Sequence, residues 1–113
     1  MSSDTRLTYV VEEFEDPMHH DPERARGACH NESFRFTLAL GEVGIDAEVV
    51  SGFTYLDFNG TPVVLNGHAA ARVGDYVYDW TARQFPPHDQ PVPLIQPYDE
   101  WRHQWRDFGT ETP

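Results

Sequence analysis

The dipeptide Gly74-Asp75, set between HAAARV (68–73) and YVYDWTA (76–82), constrains this chain more than any other feature. Two extended runs joined by two residues, glycine first, predict a tight β-hairpin. Such a turn pairs Val73 with Tyr76, so opposed residue numbers sum to 149 and Ala70 faces Asp79. His68 lies two positions from Ala70 and shares its face, because strand side chains alternate. His68 and Asp79 are therefore expected as diagonal neighbours, at backbone separations of about 7–8 Å that an imidazole and a carboxylate can bridge. A carboxylate in that place fixes the ring tautomer and stabilises the imidazolium. Parity alone puts an acid on the same face about half the time, so the pair gains meaning only with a third group.

The rest of the chain divides at its prolines and glycines. Residues 5–15 (TRLTYVVEEFE) fit a helix or a strand, and Asp16-Pro17 closes them. Pro22 and Gly27 bracket an expected loop that carries Arg24 and Arg26. From Cys29 to Leu40 two patterns compete. FRFTLAL alternates like a strand, whereas Cys29, Ser33, Phe36, Leu40 and Val43 share one face of a helix. Gly41 and Gly44 are helix-stopping residues. AEVVSGF (47–53) reads as a short strand, Asn59-Gly60 as a turn, and VVL (63–65) is followed by Asn66-Gly67 and the hairpin. Pro86, Pro87, Pro91 and Pro93 suggest a stiff connector over 86–97. Tyr98, Trp101, Trp105 and Phe108 then recur at helical spacing behind Pro97, an aromatic stripe expected to pack in the core.

With 113 residues, 39% of them apolar, the chain is sized for one domain with a genuine core. We expect an acidic segment, 1–25, packed on or flanking a single domain, 26–113. No apolar run reaches the roughly 18 residues of a membrane span, and the N-terminus carries no basic-then-apolar export signal, so a cytoplasmic protein, or one delivered into a host cell, is expected. One cysteine, Cys29, excludes an internal disulfide framework, and no Cys/His cluster has zinc-finger spacing. No metal or cofactor is expected, and His19, His20 and His30 read as surface histidines. Nineteen acids against eight arginines and no lysine give a net charge of −11, which disfavours nucleic acid and acidic membranes as partners. Seven acids against Arg6 alone lie from Asp4 to Glu23. They read as a solvated face, or as a decoy surface for a basic partner.

Cys29 supplies the third group. A free cysteine usually packs as a small hydrophobe. At the first turn of a helix, however, unpaired amides and the dipole stabilise a thiolate, and a nearby imidazolium does so further. Thiolate, imidazole and orienting carboxylate are the parts nucleophilic acyl transfer requires.

GACHNES, LGEVGIDAEVVSGF, GHAAARV and YVYDWTARQF, taken in order over residues 26–85, resemble the core of the transglutaminase-like, papain-like cysteine superfamily. The resemblance implies an α+β fold, with the Cys29 segment a helix on an antiparallel sheet, and the aromatic spacing adds a short C-terminal helix. It implies Cys29 as nucleophile, His68 as general base and then acid, and Asp79 as orienter. Ala70 and Trp80 depart from residues common in that superfamily, and no Gln precedes Cys29 to complete an oxyanion hole. The Cys29 amide is one donor candidate; Gln84 and Trp80 are candidate oxyanion or substrate contacts. RGAC (26–29) with Glu32 is also similar to arylamine N-acetyltransferases, which need far more chain to enclose an acyl-CoA. The expected activity is thiol-dependent acyl transfer at an amide carbonyl: glutamine deamidation, transamidation or peptide cleavage on a particular protein partner, as a bacterial effector or phage-encoded protein would perform. The non-enzymatic alternative is an acidic binding module or inhibitor of the same fold.

Overall fold

Aspartate followed by proline begins two of the helices. The structure, a computed structural model, describes residues 4–105. Helix α1 (Thr5–Phe14) is capped by Asp4, α2 (Pro17–His20) by Asp16 and α3 (Pro22–Ala25) by Asp21. Each aspartate accepts a backbone N–H of its first turn, and Pro17 and Pro22 occupy positions that need no donor. Residues 22–25, expected as loop, are thus one helical turn, because Asp21 and Pro22 start a helix as readily as they break one.

Helix α4 (Cys29–Glu42) resolves the ambiguous stretch. It buries Glu32, Ser33, Phe36 and Leu40, while Phe34 and Leu38, which a strand would have buried, are each 55% exposed. The helix runs through Gly41, and the backbone turns left-handed only at Gly44 (φ 81°).

Strands β1 (Glu48–Phe58), β2 (Thr61–Val73), β3 (Tyr76–Asp79) and β4 (Leu94–Pro97) form an antiparallel sheet in the order β1-β2-β3-β4. Val73 pairs with Tyr76, Arg72 with Val77 and Ala71 with Tyr78, the register the Gly74-Asp75 turn predicts. Asn59 (φ 52°) and Gly60 (φ 83°) both adopt the left-handed backbone of a tight hairpin turn. Asn66-Gly67 falls inside one continuous strand, where the β1–β2 register shifts between Thr54 and Tyr55. The expected connector over 86–97 ends in strand β4, which pairs Leu94 with Asp79. Prolines at 93 and 97 hid it, yet a four-residue edge strand tolerates them because its outer side needs no donors.

The sheet separates two apolar layers. Val10, Phe36, Leu40, Ala71 and Trp80 pack beneath α1 and α4. Val50, Ala70, Val77, Tyr98, Trp101 and Trp105 pack beneath α5 (Tyr98–Trp105). Three residues of the aromatic stripe therefore fill a core; Phe108 lies outside the described residues. The acidic N-terminal segment contributes Val10 and His19 to the interior. Among the described residues no helix is long and apolar enough to cross a membrane.

Candidate active site

Strand β3 stops at Asp79, and its pairing with β2 runs only over Ala71–Val73. Beyond that point β2 has an uncovered edge. Helix α4 brings its N-terminus there from the other layer, so that the amides of Ala69 on β2 and His30 on α4 both act to lower the pKa of the Cys29 thiol. No side chain caps this helix end. Its free amides and dipole are directed toward the same place.

His68 and Asp79 project from the α5 face of the sheet, on the same side as Ala70 and Val77. Their side chains meet at 2.6 Å, Nε2 to Oδ2, with the imidazole fully buried and the carboxylate nearly so. The other oxygen, Oδ1, accepts the Thr81 amide at 3.0 Å, which fixes the carboxylate plane. Because a carboxylate accepts, Nε2 carries the proton, and Nδ1 is the nitrogen left for the sulfur.

Aromatic rings wall the imidazole, with Phe85 at 4.9 Å and Trp105 at 4.8 Å between centroids. Gly52 makes that wall accessible to α5. It pairs with His68 across the sheet, and a Cβ added there would stand 2.3 Å from the Trp105 carbonyl oxygen.

Nδ1 is buried and makes no hydrogen bond of standard geometry. Even so, ring and thiol perturb each other through side-chain hydrogen bonding as well as charge. The pair is adjacent without a closed hydrogen bond. Burial, the strongest single influence on the Cys29 thiol, pushes its pKa up. The hydrogen bond and charge of His68, with the Ala69 and His30 amides, outweigh burial and hold it below the ordinary value. For His68, burial favours the neutral ring. The Asp79 hydrogen bond, then Cys29 and the charges of both, overcome it and raise the pKa to about 9. Opposed shifts of this kind favour a thiolate–imidazolium pair near neutrality.

The remaining sequence candidates take other places. Gln84, on a 3₁₀ turn (Ala82–Gln84), donates to Thr81 Oγ1 at 3.0 Å and accepts the Gly27 amide at 3.4 Å. It completes a string of contacts from Asp79 through Thr81 to the turn that leads into Cys29. Trp80 is 1% exposed and packs against Phe14, Phe36 and His19, so its ring is not offered to a substrate.

Sequence reasoning missed a second buried histidine pair. His19, expected at the surface, is fully buried. Its Nδ1 accepts the Asp16 amide at 3.0 Å, and its Nε2 donates to Glu32 Oε1 at 2.6 Å. Arg35 meets the other Glu32 oxygen at 2.6 Å. The reciprocal cap between Asp16 and a residue three positions on was the available signal. His20 sits on the surface against Glu15, and His30 is exposed. Among the described residues no three His, Cys, Asp or Glu side chains are grouped to hold a metal ion. Set against known proteins, the chain matches no family model, no curated protein and no solved structure.

Proposed function

We propose that this chain is a thiol-dependent acyl-transfer enzyme that attacks an amide carbonyl of a protein partner through a thioester, on a papain-like, transglutaminase-like core. The observation that carries the reading is the arrangement around His68: one ring nitrogen bound to Asp79, the other left to the lowered-pKa thiol of Cys29. The Cys29 thiolate adds to the carbonyl carbon, and the electron pair of the C=O bond moves to oxygen. In this reading the Cys29 amide receives that oxyanion, supported by its place at an uncapped helix start. Collapse breaks the C–N bond as the His68 imidazolium gives its proton to the leaving nitrogen, producing ammonia or an amine and a thioester. His68, now neutral, takes a proton from water or an acceptor amine, which attacks the thioester and regenerates the thiolate. Water as acceptor yields deamidation or cleavage; an amine yields transamidation.

The test has two arms. Alkylation of Cys29 followed against pH is expected to begin below the ordinary thiol range and to move upward in His68→Ala, where only the Ala69 and His30 amides are left to oppose burial. Intact-mass and peptide mapping of candidate partner proteins is expected to show cleavage, a gain of about 1 Da per deamidated side chain, or a cross-link, each lost in Cys29→Ala. A thiol that titrates ordinarily, with unchanged partners, would leave the acidic binding module as the reading.

A further inference from the structure

Of the seven arginines among the described residues, Arg6, Arg35, Arg72, Arg83 and Arg102 each engage a carboxylate, a backbone carbonyl or an aromatic ring. The guanidinium groups of Arg24 and Arg26 engage none of these, and both residues are exposed. In a chain of net charge −11 such a vacancy is unexpected, since acids outnumber bases by more than two to one. The nearest acids do not fill it. Asp21 is occupied capping α3, and Glu23, between them and the cap, pairs with neither.

The backbone beneath these residues is built rather than loose. Ala28 N–H donates to Ala25 O at 3.2 Å, closing a four-residue turn with Arg26 at its first corner (φ −61°, ψ 129°) and Gly27 at its second (φ 76°). Those angles define a type II turn, in which the second corner requires glycine. Ala25 is completely buried and anchors the turn on one side; Gln84 holds the Gly27 amide on the other. Arg26 is therefore displayed three residues ahead of Cys29, a stretch of chain that spans at most roughly 10–11 Å. A substrate carboxylate one to three residues from the attacked amide lies within the same range.

We propose that Arg24 and Arg26 form an anion subsite beside the nucleophile, so that the preferred substrate is an amide flanked within three residues by Asp or Glu. This rests on Cys29 being the nucleophile and adds the chemical class of what it attacks. The site would select acidic segments although the protein is itself acidic. Long-range repulsion is screened over about 8 Å at physiological salt, whereas contact with two unpaired guanidinium groups is not.

Peptide electrophiles test this without a known substrate. N-chloroacetyl tripeptide amides carrying one Glu at the first, second or third position are compared with their Gln isosteres for the rate of Cys29 alkylation, read by intact mass. The Glu peptide is expected to react about three- to tenfold faster at low salt, as one to two close charge contacts near a surface would give. That ratio should fall to about one in Arg24→Gln/Arg26→Gln and persist in Arg6→Gln/Arg72→Gln, a control that removes the same two charges elsewhere. A ratio near one in the native protein, or a ratio that survives the double substitution, overturns the subsite. If both peptides react only as fast as a simple unactivated thiol, the nucleophile reading fails, and the subsite with it.

Discussion

His68 is pulled in two directions: its burial favours a neutral ring, and its two neighbours favour a charged one. The neighbours prevail, and the folded state holds the proton up to about 9. The titration of the ring by NMR should therefore have its midpoint near 9 in the native protein. In Asp79→Asn the midpoint should fall, because the foremost influence opposing burial is gone. The sign for stability follows. A group that binds its proton more tightly when folded contributes fully below the unfolded value of about 6.5, and that contribution disappears as pH rises through about 9. Urea midpoints should drop across that interval and be flatter in Asp79→Asn. The His68–Asp79 contact was legible from sequence because a two-residue turn converts numbering into register. Nothing comparable links Cys29 to the hairpin, since its place depends on how α4 packs. Just past the end of β3, strand parity no longer says which way the side chains of Trp80 and Gln84 point.

Among the elements, α5 is the one whose seat is most narrowly defined. Its last described turn lies on Gly52, and any Cβ there meets main-chain atoms of Trp105 rather than a flexible side-chain end. Gly52→Ala is accordingly expected to lower stability by about 1–3 kcal/mol, the range for overpacking a filled core, as measured by urea denaturation. It should also raise the solvent accessibility of the His68 ring, which Trp105 covers. The α5 stripe was readable because three aromatics recur at helical intervals. The stretch now seen as α4 was not, because its outward face carries Phe34 and Leu38, and an apolar residue on both faces erases the periodicity that separates helix from strand. Strand β4 escaped notice for want of length: four residues between prolines give no alternation to detect.

At the scale of the molecule, two aromatic layers close on a single sheet, and the N-terminal helices belong to one of them. His19 ties that segment to the first turn of α4 through a carboxylate that is only 3% exposed. Removing the ring leaves Glu32 buried and short of a donor, so His19→Ala should cost about 3–5 kcal/mol, with His19→Gln recovering part of it, again read from urea midpoints. A deletion of this kind would loosen the helix start at which Cys29 stands. The early end of β3 has a further consequence. Where the ladder breaks off, the Ala69 amide of the strand and the uncapped start of α4 meet beside Cys29, inside a strongly negative molecule. That share of the thiol's surroundings is main chain, a property of the backbone path that persists when surface side chains are exchanged, whereas the His68 share is not.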